Sequence, residues 1–204
     1  FRAVEARTQT DKPAEAGKPA PPPAITTSHD LLAHFDPKTG AMTTMEQTTD
    51  FRYDEGPQHA TAQKATLDQT TQKIVLEGTA RAWDASGQAT ANTITLEQAV
   101  GRMTAEGDVV STREPERTAS KAEVAGDGLL SDNQPLHGKA ARMTMSEKNT
   151  VIVHEGGPQG KAVVWQGANR IEGKRVTINR AAKTLTAEGD VTSLLADESA
   201  GKDK

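Results

Sequence analysis

No cysteine occurs among the 204 residues. No disulfide framework can hold the fold, and the redox compartment leaves no mark on the sequence. Aromatic residues are nearly as scarce: three phenylalanines, one tyrosine and two tryptophans, 3% of the chain. Hydrophobic residues reach only 34%. A compact globule of this length is expected to carry a heavier core, whereas a stack of sheet units, each touching only its neighbours, needs less. No apolar run approaches the roughly 20 residues that span a bilayer as a helix. Lysines and arginines are scattered, and the net charge is −4. Without a basic stripe or interleaved aromatics, no nucleic-acid partner is expected. The three-and-four spacing of an amphipathic helix is missing as well.

What is present is a repeat. Ile74, Leu67 and Ala65 precede Gly78 by the same steps as Met103, Leu96 and Ile94 precede Gly107. The same steps lead back from Gly156 to Ile152, Met145 and Met143, and from Gly189 to Leu185, Ile178 and Val176. A glutamate precedes each glycine: Glu77, Glu106, Glu155 and Glu188. A fifth copy fits the count at Ala33, Phe35 and Met42, with Glu46 where the glycine should stand. Internal repetition fixes architecture. The apolar slots fall in pairs two apart, which puts both side chains on one face of a strand. Short polar stretches join the two arms, so each unit reads as a β-hairpin with one apolar face. The turns are expected near Thr70, Val100, Lys148 and Ala181. One hairpin cannot bury that face alone, but stacked copies can. The recurrent glycine, read as lying mid-strand on the apolar face, predicts a bend shared by all units.

Along the chain, residues 1–24 are rich in Pro, Ala and Lys and read as a disordered linker. Such a segment serves either as a tether to an anchor or another domain, or as a remnant without a role. Ordered structure is expected from about Ile25, in one β-domain over 25–197, with a disordered tail over 198–204. Phe51 and Tyr53 share a strand face. Residues 112–137 break the repeat, and an irregular strand pair is expected there around Val124 and Leu129/Leu130.

Catalytic constellations are weak. Ser28-His29-Asp30 holds three suggestive residue types, but a triad is a spatial arrangement, and adjacent strand residues face opposite ways. Gly156-Gly157-Pro158-Gln159-Gly160-Lys161 resembles a phosphate loop in composition only, with Ala162 where Ser or Thr is needed, and reads as a turn. The histidines at 29, 34, 59, 137 and 154 show no metal-ligand spacing. His154 occupies an apolar slot and reads as a hydrogen-bonded core histidine or a strand-edge one rather than a ligand. These observations predict no enzyme and no metal.

The segment from His137 to Leu195 resembles the periplasmic lipopolysaccharide-transport proteins of the LptA and OstA type, to which LptC is related. The resemblance is carried by G-K-A-A-R-M at 138–143, N-R-I-E-G-K-R-V-T-I at 169–178 and T-A-E-G-D-V at 186–191. Residues 60–109 repeat the pattern with A-T-L-D, L-E-G-T-A, A-N-T-I-T-L and A-E-G-D-V. It implies an all-β fold, an open twisted antiparallel β-jellyroll of repeated hairpins, whose edges wrap an apolar groove. It also implies a non-enzymatic periplasmic module, possessing no cofactor, that shields lipopolysaccharide acyl chains and docks end to end with other jellyroll domains of a transport bridge. The groove residues are then Ile74, Leu76, Ile94, Leu96, Met103, Ile152, Ile178 and Leu185, with Met143, Met145 and Val176 also inward. Thr66, Thr95, Glu106, Thr177 and Glu188 face outward. The residues alone leave a second reading open: a β-solenoid scaffold or spacer with a closed core and no ligand.

Overall fold

The computed structural model describes residues 2–10, 20, 22–115, 134–146 and 150–195. Among them every regular element is a strand, and every pairing is antiparallel. The order is β1 (Arg2–Thr10), β2 (Ala24–Phe35), β3 (Met42–Glu55), β4 (Gln58–Asp68), β5 (Lys73–Asp84), β6 (Gly87–Glu97) and β7 (Arg102–Arg113). Then come β8 (Leu136–Ser146), β9 (Val151–Glu155), β10 (Ala162–Gln166), β11 (Asn169–Gly173), β12 (Arg175–Asn179), β13 (Thr184–Glu188) and β14 (Thr192–Leu194). Strands β1 to β8 form a meander, each pairing with the next. At β8 the sheet forks. Residues 142–146 continue through β9, β12 and β13, while residues 137–139 pair with β10, followed by β11 and β14.

The fork completes a division that runs through the whole sheet. A register break crosses each long strand, at Thr48/Phe51, Thr61/Lys64, Glu77/Ala80, Thr90/Thr93 and Glu106/Val109. On either side of this seam lie two leaves. Residues 64–68, 73–77, 93–97, 102–106 and 142–146 belong to the first leaf, with β9, β12 and β13. Residues 58–62, 80–84, 87–91, 109–113 and 136–140 belong to the second, with β10, β11 and β14.

The seam explains the repeated glycine. Gly78 and Gly107 sit in it with φ of 78° and 80°, a left-handed backbone open to glycine at no steric cost. A Cβ would also fall 2.6 Å from Gln63 Oε1 at Gly78, and 2.5 Å from Asn92 Nδ2 at Gly107. Gln63 and Asn92 are exposed, so these glycines are covered from the wet side rather than lying on the apolar face. In the first copy the seam residues are Thr49 and Asp50, with φ of 66° and 57°. The glycine-equivalent position is therefore Thr49, not Glu46, and Met45 rather than Met42 pairs with Leu67.

Cross-strand registry turns the spaced apolar residues into two continuous columns on the first leaf. One runs Ala33, Met45, Leu67, Ile74, Leu96, Met103, Met145, Ile152, Ile178, Leu185. The other, nearer the seam, runs Leu31, Gln47, Ala65, Leu76, Ile94, Ala105, Met143, His154, Val176, Ala187. The facing leaf presents smaller residues: Ala62, Ala80, Ala91, Val109 and Ala162 beside the seam, all buried, then Ala60, Ala82 and Ala89. Leaves that diverge from a common seam approach most closely there, and alanines keep close-packed contact where larger side chains would clash. The outward set is exposed (Glu106, Glu188) or half-buried (Thr66, Thr95, Thr177). The turns at Thr70, Val100 and Ala181 stand where the spacing places them.

Ordered structure begins at Arg2 rather than near Ile25. Arg2–Thr10 pairs along β2 and places Ala6 in a small cluster with Leu31 and Ala33. The edge of β2 supplies backbone partners, and the threonines at 8 and 10 suit the pleat. The rest of the expected linker (11–19 and 21), the strand pair around Val124 and Leu129/Leu130, the turn at Lys148 and the tail 198–204 lie outside the described residues.

Candidate functional site: an apolar groove between the leaves

The second column closes against the facing leaf. Leu76 is 1% exposed and Ile94 0%. The first column, one step farther from the seam, is half-buried at Ile74, Leu96, Met103, Met145 and Leu185. Between the leaves beyond that line opens a groove of about 350 Å³. Leu96, Met103, Met145, Ile152 and Ile178 line it from the first leaf, and Tyr53, Ala60, Ala82, Ala89 and Leu136 from the second. Of the eight residues the sequence singles out, four line this groove: Leu96, Met103, Ile152 and Ile178. Ile74 and Leu185 share their column without lining it. Leu76 and Ile94 belong to the closed core toward the seam.

The chemistry of the walls is adaptable and dry. Met103, Met143 and Met145 form a contiguous patch across β7 and β8, and unbranched thioethers reshape readily around a guest. The rim is polar, carrying Asp84, Glu97, Arg102 and Arg113. The Arg102 guanidinium pairs with Glu97 and holds its carboxyl below the usual carboxylate range.

Two buried polar groups interrupt the second column. Gln47 donates from Nε2 to Ser28 Oγ at 3.1 Å. His154 places Nε2 3.0 Å from Ser111 Oγ on the facing leaf. Burial alone pushes the His154 imidazole down to about 4. Ser28 is thereby occupied in the core, while His29 and Asp30 pair with each other at 3.0 Å on the outside; the tripeptide converges on no common site. Residues 156–161 form an irregular connection between β9 and β10. Among the described residues no group of three His, Asp or Glu could hold a metal ion.

The second-leaf wall escaped the reading of the sequence. Its signal is the alternating alanine of A-T-A at 60–62, A-R-A at 80–82 and A-T-A at 89–91, which marks a pleated face built of small residues. Ser111 and Gly138, which accommodate His154, carry no local signal at all.

These features define a class: open antiparallel β-jellyrolls whose two leaves enclose an apolar groove. Residues 28–102 and 96–184 match the family described as LptA/(LptD N-terminal domain) LPS transport protein. The chain belongs to that family. Its fold is similar to the crystal structure of LptH from Pseudomonas aeruginosa, with a TM-score of 0.56 and 16% sequence identity, over 69% of this chain and 96% of that one. LptH is described as the LptA-homologous periplasmic component of the conserved lipopolysaccharide transport device. A comparison with curated proteins finds no match.

Proposed function

We propose that this chain is a non-enzymatic periplasmic carrier module that shields the acyl chains of lipopolysaccharide between its two leaves on the way to the outer membrane. The observation that carries the reading is the half-open stretch of the first column at Leu96, Met103 and Met145: large apolar side chains facing a groove rather than a filled core. Hiding each methylene from water is worth about 0.8 kcal/mol, so a lipid with several acyl chains crosses an aqueous space only when shielded. Hydrophobic shielding is non-directional and shared over area, so no single lining residue is indispensable. Photo-crosslinking side chains at Leu96 and Met103 are expected to label lipopolysaccharide, and those at the outward Thr95 and Glu188 are not. Equal labelling at both pairs, or none with ligand in excess, would favour the closed-core scaffold.

The same reading extends to assembly. Among the described residues the sheet ends in strands paired on one side only, β1 at one end and β13 and β14 at the other. Val191, Leu194 and Leu195 are exposed near the second end, and Leu32 and Phe35 near the first. Free edges with apolar borders pair with other strands. The module is expected to dock head to tail with copies of itself or with other jellyroll domains of a transport bridge. Its mass by light scattering should rise with concentration. A strict monomer at high concentration that also binds no jellyroll partner would count against this.

A further inference from the structure

One residue in the groove is out of character with its column. His154 stands between Met143 and Val176, at a slot filled by Leu76, Ala105 and Ala187 on other rungs. It is 3% exposed, lines the groove, and reaches Ser111 Oγ through Nε2 at 3.0 Å. The facing leaf makes room for it: a Cβ at Gly138 would fall 2.3 Å from Nε2. The other ring nitrogen, Nδ1, is buried and has no hydrogen-bond partner among the described residues. An aliphatic side chain would fill the slot without leaving a polar atom unsatisfied.

The charge state of the ring narrows what could complete it. Burial keeps the imidazole neutral at pH 7, so it offers one N–H and one lone pair. One nitrogen serves the Ser111 hydroxyl, which can donate or accept. The other is left with the complementary role for a guest. A phosphate or carboxylate at this depth would bring a charge into an apolar wall, which is costly. A hydroxyl brings none, and can donate or accept according to the tautomer.

We propose that His154, oriented by Ser111, is a polar anchor inside the groove that selects acyl chains bearing a hydroxyl over plain alkyl chains. This rests on the carrier reading above. The Gln47–Ser28 pair is not part of it, because neither residue lines the groove.

The test uses the full chain and displacement of a fluorescent fatty-acid probe. The competitors are hexadecanoic acid and a series of hexadecanoic acids hydroxylated at successive positions. At least one hydroxylated isomer is expected to bind roughly tenfold tighter than the plain acid, the size of one net hydrogen bond. In His154→Leu the preference should vanish while the plain acid binds at least as well; His154→Met serves if leucine does not fold. In Ser111→Ala the preference should weaken. Equal binding of every isomer and the plain acid to the native chain would overturn the anchor while leaving the carrier reading intact. So would a preference that survives without the imidazole. If no acid displaces the probe, or the probe does not bind, the carrier reading fails and the anchor fails with it.

Discussion

Replacing Ile94 by aspartate is expected to leave little or no folded domain at 25 °C. Ile94 is 0% exposed and sits mid-column between Leu76 and Ala105. Truncating such a residue to alanine alone costs about 2–5 kcal/mol, through lost transfer energy and the cavity left behind. Aspartate adds a carboxyl that must either stay ionised in an apolar site or take up a proton without a partner, at a cost of several kcal/mol more. Domains have only about 5–15 kcal/mol in hand. Urea unfolding followed by circular dichroism would check this, with Ile94→Val as a control expected to lose about 0.5–1.5 kcal/mol. Leu96→Asp, two residues on and half-buried at the groove, should cost less stability and weaken lipid labelling instead. A midpoint for Ile94→Asp close to the native one would mean that the second column is not a dry core.

Acidification should destabilise the native chain more than a His154→Leu variant. The imidazole is pushed down to about 4 in the fold by burial, whereas an unfolded chain binds a proton near pH 6.5. Above pH 6.5 neither state is protonated at this site, and it contributes no pH dependence. Between pH 6.5 and 4 the unfolded state holds more protons, so stability falls as pH falls. Below about pH 4 both states are protonated and the loss is complete. It amounts to on the order of 3 kcal/mol. Only the difference between the two proteins isolates the histidine, because carboxylates titrate at the acid end in both. Parallel stability curves for the two from pH 7 to pH 4 would show that the ring is solvated in the fold.

The spacing of Ile74, Leu67 and Ala65 from Gly78 was enough to reach the hairpins, the apolar face and the shared bend. A strand period of two leaves little freedom once one face must be buried. The first copy was harder to read, because Thr49 and Asp50 adopt the left-handed backbone without a glycine to mark it. A count from Glu46 falls three residues short of the seam at Thr49. Arg2–Thr10 was hidden by its neighbourhood: the Pro-rich stretch that follows dominates the composition, while strand formation is decided by the vacant edge of β2. Nor does spacing separate Ile94 from Leu96. Both are large, apolar and inward. One is closed and the other half-open because of how the leaves diverge from the seam, which is a property of the whole sheet.

The columns have one more consequence. Along the meander the first-leaf wall repeats at each strand, about 4.8 Å apart. On the carrier reading, an alkyl guest shifted by one strand meets nearly the same surface it left: Leu96 gives way to Met103, then Met145. Attraction that depends on area and not on direction changes little over such a step. The wall is therefore a track of near-equal resting places, with low ridges between them. The rung out of step is His154, whose imidazole stands in the neighbouring column on β9, just past the fork.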